Sequence, residues 1–394
     1  MFKNNKNLVI ISLIAVVNSL GYGIIIPIMF PYAQRFGLNT FQYGFLFALF
    51  SLCQFLSTPI IGRLSDKYGR KPLLSISIAG TAVSFFMAAF APNAIILFLA
   101  RAIDGLTSGN IPVAQAVISD TTQPKDRARA FGIIGASFGF GFIAGPVIAA
   151  ITLPFGMGMP FIVAGIISLI AVFMTTFFLP ETNKHMREVA HRKLFDLKKL
   201  VLTIVDKTVG NTLLIWLIYA CTFGMFIISF QTYAVTALHL SAQQTAELFA
   251  GVGVIQLIMQ AGVIPFFSKK ASEKTLLLFA FSIAAFSYLC LFFTTGALLY
   301  AVFNFSLAIG NAFVMPLINA LLSKETDVKS QGSIFGISSS YLSVGTVVGP
   351  IIGGLLATFG VGLPFLLGAI LTITCLILAA KTLKKVYTHP DSAF

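Results

Sequence analysis

The chain has 394 residues, of which 57% are hydrophobic and only 10% charged, and its mean hydropathy is +0.93. Soluble domains carry about 25% charged residues, so this composition excludes a soluble globular protein. The net charge of +13 would suit a nucleic-acid-binding protein, and the positions of the cations decide whether that interpretation holds.

Twelve apolar runs follow one another along the chain, each close to the roughly 20 residues that a helix needs to cross a bilayer. Lipid offers no partners to backbone N–H and C=O groups, and runs of this length are typical of helices rather than barrel strands. The predicted fold class is therefore an all-α integral membrane protein. The spans are predicted at residues 8–30, 42–62, 73–92, 95–118, 130–151, 160–179, 210–234, 244–267, 275–294, 297–321, 332–357 and 363–380.

The cations are distributed very unevenly between the connections. Of the 26 Lys and Arg, 24 lie in the termini or in every second connection, whereas Arg35 alone occupies the alternate connections and Arg101 lies inside span 4. Because cytoplasmic loops carry an excess of Lys and Arg, we predict that both termini are cytoplasmic. The positive charge is then a consequence of topology, and no nucleic-acid partner is expected.

The sequence divides into two related halves. The longest hydrophilic stretch lies between spans 6 and 7, and residues of the first half recur at an offset of 204, so that "GFIAGPVIAA" has a counterpart in "GTVVGPIIGG". We predict an N-terminal six-helix bundle over 1–179, a cytoplasmic linker over 180–209, and a C-terminal six-helix bundle with a short cytoplasmic tail over 210–394. Two such halves with a site between them are the plan of secondary transporters.

Span 4 carries the only carboxylate predicted to lie deep in the bilayer, Asp104, three residues after the only deep cation, Arg101. Ionisable groups at this depth are costly and usually functional. On one continuous helix, Ser108 and Gln115 share the same face, within an arc of about 60°. We predict that Asp104 binds and releases a proton while Arg101 tunes its affinity; the alternative is a static ion pair that helps to pack span 4.

A midplane cavity is predicted to bind an amphipathic, cationic organic molecule, since aromatic and amide side chains together with one carboxylate suit such a ligand. The alternative role for each amide is a hydrogen bond between helices. The predicted binding residues are Asn18, Tyr22, Arg101, Asp104, Gln115, Phe138, Phe226, Gln231, Gln256, Gln260, Asn304, Asn311 and Tyr341.

Neither a metal nor a cofactor is expected. The four cysteines fall in four different spans without metal-ligand spacing, and the phosphate-binding pattern G-x-x-x-x-G-K-[ST] does not occur, which argues against direct ATP drive. A membrane-embedded enzyme would need more than one Asp–Arg pair, so we expect no enzymatic activity.

Four motifs resemble the major facilitator superfamily and, within it, the twelve-span drug:proton antiporters. "GFIAGPVIAA" is similar to the span-5 antiporter motif, "RAIDG" to the span-4 motif built on an Arg and a nearby Gly, and "GYGIIIPIMFPY" to the first span of drug and tetracycline exporters. "GRLSDKYGRK" matches the loop 2–3 pattern at Gly62, Asp66, Lys67, Gly69, Arg70 and Lys71.

The resemblance implies that loop 2–3 is a conformational latch, formed by those six residues with Asp120 as a further partner of Arg70. In the tight loop, Asp66 can pair with Arg70 or accept from backbone N–H groups at the start of a neighbouring helix. Loop 8–9 has no Asp at the matching place, so a charged latch is expected in the N-terminal half only. The glycine motifs imply close helix packing at Gly141, Gly145, Pro146, Gly345, Gly349 and Pro350.

The chain also departs from the family pattern. Ala149 and Ala150 replace the last two glycines of the span-5 motif, and Asn18 stands where tetracycline exporters carry an acidic residue. The second change removes one possible proton carrier.

The functional prediction is a monomeric, proton-coupled drug exporter of a bacterial inner membrane, which works by rocking two bundles about the cavity. An exporter of a specific metabolite (sugar, amino acid, siderophore or lipid) shares all four motifs and remains an alternative. A non-transporting membrane receptor is a more distant one, since no sensory or signalling domain is appended.

Overall fold

The computed structural model describes residues 5–122, 127–183, 203–204, 206, 209–268, 270–326 and 331–387. Over these residues the structure is helical and contains no strand, and twelve helices are long and apolar enough to cross a membrane. The predicted all-α membrane fold is thereby confirmed.

The spans run through the chain in the following order. Span 1 is Asn5–Gln34, span 2 Thr40–Tyr68, span 3 Arg70–Ala89, span 4 Ala94–Thr107 and Ile111–Thr121, span 5 Arg127–Thr152, span 6 Met159–Phe178, span 7 Gly210–Thr236, span 8 Ala242–Ile258 continued by a π-helical turn Met259–Val263 and Ile264–Phe267, span 9 Glu273–Phe293, span 10 Ala297–Lys324, span 11 Gln331–Phe359 and span 12 Leu363–Tyr387.

The helices form two compact units. The first comprises Met1–Asn39, Leu49–Leu194 and Ser241–Ala250, and the second Thr40–Ala48, Phe195–Leu240 and Gly251–Phe394. Most of the predicted linker, residues 184–202, lies outside the described residues. The predicted division of the chain at 180 and 210 therefore stays a prediction.

Span 4 is broken, whereas the sequence predicted one continuous helix over 95–118. The first segment ends at Thr107 and the second begins at Ile111. Pro112 has no N–H to donate, and its ring would clash with the carbonyl of Ser108 in a continuous helix. The break therefore falls just after the Arg101–Asp104 pair.

The connection between spans 2 and 3 is a single residue. Span 2 extends to Tyr68 and span 3 begins at Arg70, so only Gly69 lies between them. Its φ of 102° is in the region that favours glycine. The sequence had predicted a ten-residue loop, because hydropathy falls at Gly62 even though the helical backbone continues.

Glycines allow two pairs of spans to approach backbone to backbone. In the first unit, a Cβ added to Gly145 of span 5 would stand 2.7 Å from the backbone of Gly23 in span 1. In the second unit, a Cβ on Gly349 of span 11 would stand 3.0 Å from the Cα of Gly224 in span 7. Gly349 is the counterpart of Gly145 at the repeat offset of 204, and each of the two contacts a glycine in the first span of its own half.

We expect Gly145→Ala to destabilise the protein, because its methyl group would overlap the span 1 backbone and overpacking typically costs about 1–3 kcal/mol. Gly139→Ala on the same helix is the matched control: its Cβ would meet nothing within 4 Å, and alanine favours the helix. The measurement is the melting temperature of the purified protein in detergent. Equal melting temperatures for the two variants would contradict the close contact.

Candidate functional site

The centre of the first unit holds a buried ion pair. Arg101 Nη1 lies 2.9 Å from Asp104 Oδ2, and the two side chains are 4% and 7% exposed. Ser108 Oγ donates to the other carboxylate oxygen, Oδ1, at 3.2 Å. Thr81 of span 3 lines the same cavity as Asp104, and the neighbouring Ser84 Oγ donates to the carbonyl of Thr81 at 2.8 Å. Asp104 therefore has a cation and several hydroxyl groups around it.

Spans 1 and 2 complete the surroundings of the pair. The guanidinium of Arg101 lies 4.2 Å from the ring centroid of Phe50, a distance at which a cation is attracted by an aromatic face. The Tyr22 hydroxyl donates to Gln54 Oε1 at 3.3 Å. Asn18 Nδ2 donates to Asn110 Oδ1 at 2.9 Å, across to the break in span 4.

These side chains line a small cavity. Asn18, Tyr22, Gln54, Arg101 and Asp104 are among its walls, and its volume is about 20 Å³. A cavity of that size holds one water molecule, and a drug-sized ligand needs at least about 300 Å³. In the described geometry this cavity has room for a water molecule beside Asp104 but cannot enclose an organic substrate.

The polar stripe predicted on span 4 ends at Ser108. Because the helix breaks at Ser108–Asn110, the residues after the break no longer continue the phase of those before it, and Gln115 is exposed rather than part of the cavity wall. The side chain of Phe138, another predicted binding residue, lies outside the described residues.

The predicted binding residues of the second unit are mostly buried. Asn304 and Asn311 lie on span 10, seven residues apart, and are 1% and 9% exposed. Asn304 Nδ2 donates to the carbonyl of Tyr300 at 2.8 Å, within its own helix. Gln231 Oε1 accepts from the Tyr43 hydroxyl at 2.7 Å.

The remaining predicted residues of the second unit lie in different environments. Tyr341 is buried, whereas Gln256 is half-buried and Gln260 is exposed in the π-helical turn. Phe226 is 5% exposed and packs against Phe230, with ring centroids 5.8 Å apart. The environment of Phe226 is thus a packed aromatic core.

The candidate latch residues meet at one end of the first unit. Arg70 Nη1 lies 2.6 Å from Asp66 Oδ1, and Arg70 Nε lies 3.5 Å from Asp120 Oδ2. Nη1 also donates to Ser65 Oγ at 2.7 Å. One guanidinium thus links spans 2, 3 and 4.

The other candidate latch residues of span 2 make no ion pair with the described residues of this group. The ammonium of Lys67 lies 5.1 Å from the ring centroid of Tyr68. A Cβ on Gly62 would meet nothing within 4 Å.

Glu181 caps the start of span 3, a role that the sequence had offered to Asp66. Its two carboxylate oxygens accept from the backbone N–H groups of Arg70 at 2.9 Å and Lys71 at 3.1 Å. A carboxylate is favoured there because helix N-termini carry free N–H groups and partial positive charge. Asn183 Nδ2 donates to the carbonyl of Asp66 at 2.9 Å, so the chain after span 6 belongs to the same cluster.

Sequence reasoning missed Gln54, Asn110 and Glu181. Gln54 carries a signal of its own, since an amide in the apolar run "FSLCQFLSTP" is unusual. Asn110 precedes Ile111-Pro112, a combination that favours the start of a helix. For Glu181 no local pattern marks its contact with span 3, because Arg70 and Lys71 lie 111 and 110 residues away in the chain.

The described residues form twelve apolar helices, and the two halves of the sequence are related by an internal repeat, which is the plan of a polytopic membrane transport protein. The family model described as Major Facilitator Superfamily matches residues 11–343 and 299–393. The chain belongs to this superfamily, whose members are transport proteins and not enzymes, as expected from the sequence.

Individual relatives agree with the family assignment. The chain is 31% identical to the tetracycline resistance protein, class H, of Pasteurella multocida, over 95% of this chain and 96% of that protein. It is 28% identical to the quinolone resistance protein NorA of Staphylococcus aureus, over 86% of each. The solved structure of a bacterial homologue of the human lysosomal transporter Spinster has a TM-score of 0.76 at 14% identity and 96% coverage of both chains, which shows the shared fold.

We expect Asp104→Ala to destabilise the protein by about 3–5 kcal/mol, because it leaves the Arg101 guanidinium buried without its carboxylate. The double variant Arg101→Met, Asp104→Leu should recover most of that loss, because apolar pairs of similar volume often replace buried ion pairs without cost. Melting temperatures of the purified variants provide the test. Equal losses in the single and double variants would show that the pair is not the source of the effect.

Proposed function

We propose that the protein is a proton-coupled exporter of small amphipathic organic molecules, a drug:proton antiporter that works by alternating access. The observation that carries this proposal is the buried Arg101–Asp104 pair beside a cavity with room for one water. The names of the relatives support it, since they are tetracycline and quinolone resistance proteins. We further propose that the protein acts as a monomer in the inner membrane, with both termini cytoplasmic.

In this proposal Asp104 carries the proton. As a carboxylate it attracts Arg101 at 2.9 Å and accepts from Ser108. Once protonated, Asp104 no longer neutralises the Arg101 guanidinium. The net charge of the buried pair therefore changes from zero to +1 when the proton binds. A membrane potential supplies about 2.3 kcal/mol per charge per 100 mV, and a pH gradient about 1.4 kcal/mol per unit.

The substrate class follows from the polar groups and from the relatives. Aromatic rings and amides suit an amphipathic molecule, and the cavity at Asp104 is too small to enclose one. We therefore propose that the substrate binds elsewhere along the transport pathway while the proton binds at Asp104. A metabolite exporter would share this arrangement and differ in its substrate.

The direct test is the purified protein in liposomes with an imposed pH gradient, offered tetracycline, a fluoroquinolone and a lipophilic organic cation. We expect flux opposite to the proton gradient. In Asp104→Asn this flux should fall at least about tenfold, because Asn keeps the shape of the side chain but cannot bind a proton, while exchange of labelled substrate in the absence of a gradient persists.

Glu247→Gln is the matched control, since Glu247 is an exposed carboxylate on span 8 that is bonded to Gln243. Full proton-coupled flux in Asp104→Asn would exclude Asp104 as the carrier. Flux in the same direction as protons would overturn the antiporter proposal, and flux of a metabolite but of no drug would favour the alternative.

We expect Asp66→Asn to slow transport several-fold while expression and substrate binding stay close to wild type. The substitution removes the charge that holds Arg70 at 2.6 Å, and that guanidinium links spans 2, 3 and 4. Initial rates in liposomes and equilibrium binding in detergent separate the two effects. Normal turnover in Asp66→Asn would refute a latch role.

A further inference from the structure

The second unit carries its own charged cluster at the ends of spans 9 and 10, where the sequence had predicted none. Lys324 Nζ lies 2.6 Å from Glu273 Oε1, joining the last turn of span 10 to the first turn of span 9. The next residue, Glu325, accepts at Oε2 from the Thr212 hydroxyl at 2.7 Å. Thr212 is 1% exposed on span 7, so three spans meet here.

The four charges of this cluster sum to zero. Lys274 faces both Glu273 and Glu325. Burial raises the pKa of Glu325, whereas the Thr212 hydrogen bond and the Lys274 charge act in the opposite direction. Glu325 is thus a carboxylate partly withdrawn from water and held by one hydroxyl and one nearby ammonium.

In the repeat, this cluster corresponds to the ion pairs that Arg70 makes with Asp66 and Asp120 in the first half. At the repeat offset of 204, Lys274 corresponds to Arg70 and Lys324 to Asp120. In the first half, a cation at the start of span 3 pairs with a carboxylate at the end of span 4. In the second half, a carboxylate at the start of span 9 pairs with a cation at the end of span 10. The sign of the ion pair is reversed.

The helix dipoles favour the charges of Glu273 and Lys324 but disfavour the charge of Glu325. Glu273 in a first turn and Lys324 in a last turn both complement the helix dipole, and an exposed pair of this kind contributes little to stability. Glu325 is different, since it lies at the C-terminal end of span 10, where the dipole disfavours a negative charge. Its partner Thr212 belongs to another span and is buried.

We propose that Glu273, Lys274, Lys324 and Glu325, together with Thr212, form a reversed-charge latch that fixes the ends of spans 7, 9 and 10 to one another, with Glu325 as its positioning residue. The structural part of this inference is independent of the proposed export activity. Its effect on turnover rests on that activity.

The experiment compares Glu325→Gln, Thr212→Val, Glu273→Lys, Lys324→Glu and the double swap Glu273→Lys, Lys324→Glu. The matched control is Lys381→Gln, an exposed lysine on span 12. Hydrogen–deuterium exchange of the amides of 270–280 and 318–326 in the purified protein reports on the latch without any transport. Initial transport rates in liposomes report on its use.

We expect the single charge reversals to speed amide exchange at both segments and to lower turnover about threefold, in keeping with the loss of a partly exposed ion pair. The double swap should recover part of each loss. Thr212→Val should speed exchange at 318–326 and at the start of span 7, because it removes the hydroxyl that donates to Glu325, and Lys381→Gln should change neither readout. Unchanged exchange in the single variants, or no recovery in the double swap, would overturn the proposal.

The pH dependence of stability tests the position of Glu325. A carboxyl group with a raised pKa in the folded protein contributes stability below its ordinary pKa of about 4.3 and loses that contribution as pH rises through the raised value. The melting temperature of Glu325→Gln should therefore rise relative to that of the wild type as the pH increases from 4.5 to 7. Parallel curves would contradict a withdrawn Glu325 within the latch.

The two proposals fail separately. Absence of export in liposomes together with altered amide exchange in the variants would leave the latch in place and refute only the exporter. Proton-coupled export with unaltered amide exchange in every variant would support the exporter and refute the latch.

Discussion

Charge is excluded from the middle of these helices unless it is neutralised on the spot, and this constraint organises the whole molecule. Removing an ion from water costs several kcal/mol even after relaxation, so a buried cation needs a partner held in good geometry. Arg101 and Asp104 meet that need within one turn of span 4. Arg70 and Lys324 pair at helix ends instead, where water still contributes. Within the described helices, Arg101 and Asp104 are the charged residues that are buried.

Backbone contact is the second constraint, and it is shared by both halves. Gly145 against Gly23, and Gly349 against Gly224, leave no room for side chains between the spans. Since helix association in lipid lacks a hydrophobic driving force, close packing of small residues has to supply the attraction. Gly145 and Gly349 keep the repeat offset of 204, whereas their partners Gly23 and Gly224 are 201 residues apart, and the polar groups of the two halves have diverged. One half holds an ion pair in its interior, and the other holds amides there.

Hydropathy was sufficient to predict the twelve spans, because each had to be apolar over the thickness of a bilayer. It could not predict the end of span 2, since the helix continues for six residues after the apolar run ends at Gly62. The break in span 4 was marked in the sequence by Pro112, but a proline inside an apolar run can kink a helix as well as end it. Gln115 was misplaced for that reason.

The candidate site was only partly predictable. Asp104 and Arg101 were identifiable because they are the ionisable groups of an apolar helix. Gln54 and Glu181 act through partners far away in the chain, so no local pattern could assign them. The pair between Glu273 and Lys324 has no counterpart of Asp66 in the sequence, and its charges stand in the reverse order, so the family pattern does not mark it. The structure conserves the location of a charged contact and not the sign of its members.

The one-residue connection at Gly69 has a mechanical consequence. Consecutive Cα atoms are only 3.8 Å apart, so Tyr68 and Arg70 cannot separate by more than about twice that length, and the joined ends of spans 2 and 3 have almost no slack. Glu181 adds a second connection, since its carboxylate accepts hydrogen bonds from the backbone N–H groups of Arg70 and Lys71 and belongs to the chain after span 6. A displacement of span 2 at this end must therefore carry span 3 with it. The connection transmits motion as a short rigid link, where a longer loop would absorb it.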